Sequence, residues 1–85
     1  MRTICSHKIW RGADRGFTFE LTAHLILVEC NKERPFAKCF SDNLSKLHYY
    51  ISFIEAREDY MKMLNNSDKW GYKVERVDVG EEVRI

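Results

Sequence analysis

Three cysteines and one histidine are the residues of this chain that could bind a metal or act as a nucleophile and its base. Cys5 and His7 stand two positions apart on a predicted strand, so their side chains point to the same face. Together with Cys30 and Cys39 they are the set from which a Cys3His zinc site would be built. A Cys–His pair is also the centre of a thiol nucleophile when a third group orients the histidine.

The spacing of these residues favours neither kind of site. Structural zinc ligands usually come in close pairs on turns, and no two of the three cysteines are spaced in that way. A nucleophile also needs an oxyanion site, for which the chain has no glycine-rich or strand-to-helix elbow. Phosphate-loop, H-E-x-x-H and paired-carboxylate signatures are absent as well. We therefore expect three separate reduced thiols, no metal or other cofactor, and a protein that is not an enzyme.

Basic residues interleaved with an aromatic side chain make up a second candidate site. Residues 1–46 contain eight basic and five acidic residues, although the whole chain has a net charge of only +1. On a sheet, such side chains can hold phosphates while a base stacks on the aromatic ring. RNA binding is therefore one hypothesis, and ordinary solvated turns are the alternative. The residues assigned to this site are Arg2, Lys8, Trp10, Arg11, Arg15, Lys32, Arg34 and Lys38.

The segment from about residue 43 to residue 65 predicts one long helix with two apolar lines. The first line is aliphatic and is expected to face the sheet; its residues are Leu44, Leu47, Ile51, Ile54 and Met61. The second is displaced by roughly a third of a turn. Its residues are Tyr49, Phe53, Ala56, Tyr60 and Met63.

Two interpretations of the second line remain open. Its aromatic rings could complete a broad core with the tyrosine hydroxyls reaching solvent. Alternatively, the line binds another molecule, because aromatic residues and methionine are enriched at the centres of interfaces. The partner would be a foreign protein or a second copy of this chain. The residues expected to bind it are Tyr49, Phe53, Tyr60 and Met63.

The apolar pattern predicts the strands that would position these candidate sites. Alternation predicts strands over 3–11, 17–28, 36–40 and 72–79, with a short piece at 83–85 and a bulge near the middle of the second strand. Turns are expected at 12–16 and 31–35, and Ser41, Asp42 and Asn43 are candidate helix caps. The order β-β-β-α-β indicates an α+β fold, an antiparallel sheet of four to five strands with one long helix packed across one face. We expect a single domain, 1–85.

Composition and hydropathy indicate a folded protein inside the cell. The chain is 45% hydrophobic and 13% aromatic, which disordered chains are not. Its longest apolar run, 25–28, is far too short to cross a bilayer, and the first residues lack a secretory apolar core. We expect a cytoplasmic protein that does not bind a membrane.

In size and in its aromatic-rich character, the whole chain resembles the small accessory proteins of tailed phages. One class of these is the T-even phage inhibitors of ribonuclease toxins from RNA–protein toxin–antitoxin systems. The resemblance implies a non-enzymatic inhibitor or adaptor that docks a host enzyme, such as a toxin ribonuclease, through the aromatic side of its helix. An RNA-binding module that uses the basic N-terminal strand hairpin is the alternative, and an RNA-bridged complex would combine the two.

Overall fold

The predicted sheet and helix are both present. The structure, a computed structural model, describes residues 2–12, 19–40, 46–69 and 72–77. Over these ranges the chain is an α+β fold with one antiparallel sheet of five strands and one helix packed against it. The elements are β1 (Arg2–Arg11), β2 (Glu20–Glu29), β3 (Phe36–Cys39), β4 (His48–Tyr50), α1 (Phe53–Lys69) and β5 (Lys73–Val77).

The spatial order of the strands is β4-β3-β2-β1-β5, and every neighbouring pair is antiparallel. The first four strands therefore follow one another across the sheet. The fifth pairs with β1 at the opposite edge from β4, so α1 must carry the chain back across the sheet. This crossing is what places the helix over one face.

A bulge in β2 changes which side chains share a face. The pairing passes from Ile9 opposite Ala23 to Trp10 opposite Leu21, so Thr22 is an extra residue. The Thr22 hydroxyl donates to the Ile9 carbonyl oxygen at 2.9 Å. The predicted bulge is confirmed, and it explains why Leu21 is 44% exposed although it stands at an even spacing from the buried Leu25 and Leu27.

The turn between β2 and β3 is confirmed and is closed by Asn31. The Asn31 Oδ1 atom accepts hydrogen bonds from the backbone N–H groups of Glu33 and Arg34, at 3.0 and 2.9 Å. The Cys30 N–H donates to the Pro35 carbonyl oxygen at 2.7 Å, which joins the two strands at the turn. Three other predicted features, the turn at 12–16 beyond its first residue, the caps at 41–43 and the strand at 83–85, lie outside the described residues.

The helix begins later than the sequence predicted. Residues 48–50 form β4 and pair with β3 instead of being helical. The Ala56 N–H donates to the Ser52 carbonyl oxygen at 3.2 Å, which makes Ser52 the N-cap of α1. Ser52 and Glu55 have the S-x-x-E spacing of a capping box, a stronger start signal than the caps chosen at 41–43.

The later start reverses the predicted roles of the two apolar lines. Phe53 and Tyr60 are only 7% and 1% exposed and pack on the sheet, so the prediction that they face a partner is wrong. Ile54 and Met61 are 53% and 37% exposed, so the prediction that these two residues of the aliphatic line face the sheet is wrong as well, whereas Leu47 of the same line packs on the sheet. A deeply buried tyrosine is tolerated here because its hydroxyl has hydrogen-bond partners in the sheet.

The sheet has apolar residues on both faces. The cluster under the helix contains Ile4, Leu25, Leu27, Phe53, Ala56 and Tyr60. A second cluster contains Val28, Ala37, Cys39 and Leu47. Val28 and Leu27 are neighbours on one strand and point to opposite faces, so the second cluster lies on the side of the sheet away from α1.

Candidate functional site

The face of β1 that points away from the helix holds the candidate site. The side chains of Cys5 and His7 contact Tyr60, so these alternate residues of β1 point towards α1. Lys8 and Trp10 alternate with them and therefore point to the opposite side of the sheet. We call that side the open face.

Pairing of β1 with its two neighbours brings further side chains to the open face. Residues that are paired across antiparallel strands share a face. One row contains Lys73, Trp10 and Leu21, and the next row contains Glu75, Lys8 and His24. Two lysines, an indole and an imidazole thus lie side by side, with a single carboxylate among them.

The indole of Trp10 is held in a fixed orientation. Its Nε1–H donates to a carboxylate oxygen of Glu75 at 2.9 Å. The ammonium of Lys8 lies over the ring, 6.0 Å from its centroid, which is the outer limit of a cation–π contact. Trp10 is only partly buried, so the ring is anchored at its polar edge without being sealed in a core.

Phe19 extends this aromatic surface at the start of β2. The ammonium of Lys73 lies 5.4 Å from the centroid of the Phe19 ring. Gly12 packs so closely that a Cβ there would stand 2.8 Å from Phe19 Cδ1 and 2.9 Å from its Cα. Glycine is therefore required at position 12 for Phe19 to lie where it does.

Phe19 and Lys73 were not among the residues predicted from the sequence. Alternation without a bulge would place Phe19 on the same face as Leu25 and Leu27, and the bulge at Thr22 reverses this. Lys73 joins the site because β5 pairs with β1 across more than sixty residues of chain, and no local signal predicts that pairing.

The open face becomes buried beyond these two rows. The Ser6 hydroxyl and His24 Nε2 are hydrogen-bonded, and Ser6 is only 2% exposed. Tyr49 lies further along this face, opposite Ala37 of β3, and is 47% exposed. Of the four residues expected to bind a partner protein, Tyr49 alone is strongly exposed, and it lies on the opposite side of the sheet from Phe53 and Tyr60.

Lys38 was assigned to RNA binding, but it is buried beneath the helix. Its side chain is close to Asp59, with 3.6 Å between Nζ and the carboxylate, and 2.9 Å separates Nζ from the sulfur of Met63. The Tyr50 hydroxyl donates to the same carboxylate at 2.6 Å. Lys38 is 8% exposed, so its assignment to RNA binding is wrong: it neutralises a carboxylate inside the fold, and the partly buried Met63 packs against it.

Hydrogen bonding and burial shift the pKa values of this cluster in opposite directions. The hydrogen bond from Tyr50 is the main cause that lowers the pKa of Asp59, and the charge of Lys38 adds to it. Burial, followed by the bond to Asp59, raises the pKa of the Tyr50 hydroxyl. At neutral pH the cluster is therefore a neutral tyrosine donating to an ionised carboxylate.

The other basic residues are divided between the two ends of the sheet. Arg2 pairs with Glu29 at 2.8 Å and lines an open cleft with Lys32 at the β2–β3 turn, near the exposed Arg34. Arg11 stands at the other end of β1, about 30 Å from Arg2 at the usual rise of a strand. The structure thus brings Lys8 and Trp10 together but separates them from the basic residues of the turn. Arg15 lies outside the described residues.

The cysteines and His7 do not form a common site. Cys5 Sγ is 3.7 Å from His7 Nδ1, and both contact the Tyr60 hydroxyl under the helix. Cys39 belongs to the cluster on the opposite face, which rules out a Cys3His site built from these four residues. Among the described residues, no group of three or more metal-ligating side chains is close enough to hold an ion.

The geometry of Cys5 and His7 also limits nucleophilic chemistry. His7 Nδ1 carries either one lone pair or one proton, and it faces both the thiol and the Tyr60 hydroxyl. It cannot accept a proton from both groups at once. Tyr60 also donates to the Leu25 carbonyl oxygen at 3.4 Å, which ties the cluster into the core.

Comparisons with protein-family models, with curated proteins and with solved structures found no match for this chain. In the part of the chain that the structure describes, no helix has the length and apolar character needed to cross a membrane.

Proposed function

We propose that this protein is a non-enzymatic, single-stranded nucleic-acid-binding module that uses the open face of its sheet. The observation that carries the proposal is the position of Trp10, which is paired with Lys73 on one side and lies under the ammonium of Lys8. RNA is the nucleic acid expected from the sequence, and single-stranded DNA offers the same stacking and phosphate chemistry.

The side chains of the open face fit the two parts of a nucleotide. A base can stack on an aromatic ring whatever its sequence, because every base has a π face. The ammonium groups of Lys8 and Lys73 lie 6.0 and 5.4 Å from the centroids of the Trp10 and Phe19 rings, close enough to meet a phosphate of the same strand. Glu75 opposes them with one negative charge, and its hydrogen bond to Trp10 fixes the ring that a base would contact.

A direct test measures the binding of fluorescent oligouridine by anisotropy. Trp10→Ala should weaken binding by about tenfold or more, because stacking on one ring is worth about 1–3 kcal/mol per base. Lys8→Ala combined with Lys73→Ala should weaken binding and reduce its salt dependence, since each phosphate contact contributes about −0.7 to the slope for single strands. An oligothymidine arm separates DNA binding from RNA binding.

Lys62→Ala is the matched control, because Lys62 is an exposed lysine of α1 on the other side of the molecule. It should change neither the affinity nor the salt slope. The proposal is contradicted if wild-type protein does not retain either oligonucleotide at low salt. It is equally contradicted if Lys62→Ala weakens binding as much as the two open-face lysine changes do.

Docking of a partner protein is a second candidate function, favoured by the exposed aliphatic side of α1. Ile51 and Ile54 are 77% and 53% exposed, and such side chains gain from being covered. The surface proposed for docking is therefore the exposed part of the aliphatic line, which contains Ile51, Ile54 and Met61, and not the aromatic line. Inhibition of a host enzyme such as a toxin ribonuclease stays a prediction from the resemblance to phage proteins.

A further inference from the structure

Glu75 is the one acidic side chain in the two rows of the open face, and its position beside Trp10 is fixed. Its carboxylate accepts the indole Nε1–H at 2.9 Å, so it lies at the polar edge of the ring on which a base would stack. Pairing of β5 with β1, in which Glu75 lies opposite Lys8, holds it there. A negative charge at this place weakens the attraction for a phosphate strand, so a role beyond holding the ring would explain why it is a carboxylate.

Orienting the indole does not by itself require a carboxylate. The amide oxygen of a glutamine accepts the same bond without a charge. A carboxylate differs because both of its oxygens only accept, with about four acceptor sites in all, and the bond from Trp10 occupies one of them. Glu75 is exposed, so a ligand can reach the acceptor sites that the indole does not use.

Guanine is the base whose hydrogen-bond donors match this acceptor. A base stacked on the indole lies about 3.5 Å from the ring plane, which can bring its Watson–Crick edge within reach of a carboxylate at the edge of the ring. Guanine has the N1–H and the N2 amine side by side on that edge, so it can donate two parallel bonds to one carboxylate. Uracil has a single N–H between two carbonyl oxygens that a carboxylate repels. Adenine and cytosine have one amine beside a ring nitrogen whose lone pair also repels it.

We infer that Glu75 makes the open face select guanine within a single strand. Trp10 stacks the base, and the Glu75 carboxylate accepts hydrogen bonds from its N1–H and its N2 amine. This specificity rests on the proposed function, and stacking on an aromatic ring alone does not provide it. Lys8 and Lys73 outnumber the single carboxylate in the two rows, so the phosphates of the strand are still attracted.

The binding of fluorescent uridine octamers that differ only in one central base tests this specificity. The central base is guanine, adenine, cytosine, uracil or hypoxanthine, and anisotropy gives the affinity of the wild-type protein for each octamer. We expect the guanine octamer to bind about five- to tenfold more tightly than the uracil octamer, because two parallel hydrogen bonds distinguish the bases. Equal affinities for all five octamers would overturn the inference and leave the proposed function in place. Failure to retain any octamer would overturn both.

Hypoxanthine, the base of inosine, isolates the contact to the N2 amine. It keeps the N1–H and the O6 atom of guanine and lacks only the amine, so its stacking is nearly unchanged. The wild-type protein should bind the hypoxanthine octamer several-fold more weakly than the guanine octamer, since one of the two hydrogen bonds to the carboxylate is lost. Equal binding of these two octamers would show that the amine is not recognised and would overturn the inference.

Glu75→Gln tests the carboxylate itself. The glutamine oxygen can still accept the bond from Trp10, but the amide group no longer offers two acceptors to a base. The preference for the guanine octamer over the uracil octamer should therefore fall to about twofold or less, and the difference between guanine and hypoxanthine should disappear. Glu33→Gln is the matched control, because it removes the same charge from an exposed position of the β2–β3 turn, and it should keep both differences. Full guanine preference in Glu75→Gln would show that the carboxylate only orients the ring, and would overturn the inference.

Discussion

The two faces of this sheet carry the same kinds of residue but use them in opposite ways. Under α1, Tyr60 and Lys38 are buried, and each has partners within the fold. On the open face, Trp10 and Lys8 remain partly exposed, and only the edge of the indole is hydrogen-bonded to a neighbour. An aromatic residue or a lysine of this sheet is thus structural where its partners enclose it, and a candidate for binding where they hold it at the surface.

The largest expected contrast between the faces is in stability. Tyr60→Ala should lower the free energy of unfolding by about 3–5 kcal/mol, because it removes a buried ring and leaves a cavity. Trp10→Ala should cost about 1 kcal/mol or less, since Trp10 is partly exposed and belongs to neither core cluster of the described residues. Urea denaturation followed by circular dichroism measures both values. Tyr60→Phe, which loses only the hydroxyl, should cost about 1 kcal/mol. Equal losses for Tyr60→Ala and Trp10→Ala would contradict the comparison.

A smaller difference in stability is expected between two variants on the face of the sheet that α1 covers, which we call the covered face. Asp59→Ala should cost about 2–3 kcal/mol, because it leaves the buried ammonium of Lys38 without its carboxylate. The cost stays below that of a fully buried pair, since the Asp59 side chain is 44% exposed. Lys38→Met should cost less than about 1 kcal/mol, because it removes the charge and keeps the packing volume. A larger loss for Lys38→Met than for Asp59→Ala would show that the salt bridge is a net source of stability.

The smallest effect is a pH dependence that only the covered face should show. The hydrogen bond from Tyr50 lowers the pKa of Asp59 in the folded state, so the unfolded state binds a proton more readily. Asp59 therefore contributes stability above its unfolded pKa of about 3.9, and this contribution is lost as the pH falls through the lower folded value. Denaturation series between pH 2 and about pH 7 should show a shallower acid loss for Asp59→Asn than for wild type. An identical acid loss in both proteins would contradict this assignment.

Alternation along the chain predicted most of the sheet. It placed β1, β2 and β3 correctly, and the same period put Lys8 and Trp10 on one face of β1. The prediction of the β2–β3 turn from Asn31 and Pro35 was confirmed by its hydrogen bonds. These features depend on neighbours in sequence, which is why the sequence alone contains them.

The prediction of the helix start failed in a segment whose apolar pattern fits both a helix and a strand. The short segment His48–Tyr50 is compatible with a helix or a strand, and only pairing with β3 decides for the strand. Because the sequence analysis took this segment as helix, it placed the helix start before the Ser52–Glu55 capping box. It therefore also exchanged the side of α1 that packs on the sheet with the side that is exposed. Lys73 could not be assigned to the site, because its place depends on α1 carrying the chain back across the sheet so that β5 pairs with β1. Long-range pairing has no local signature.

The central claim is that the open face, and not the helix side, binds a single-stranded nucleic acid. Titration of ¹⁵N-labelled protein with oligouridine, followed by amide and indole NMR spectra, tests it most directly. We predict that the signals of the Trp10 indole N–H and of the amides of Lys8, His24 and Lys73 shift, while those of the α1 amides do not. Shifts confined to α1 or to the β2–β3 turn, with Trp10 unchanged, would contradict it.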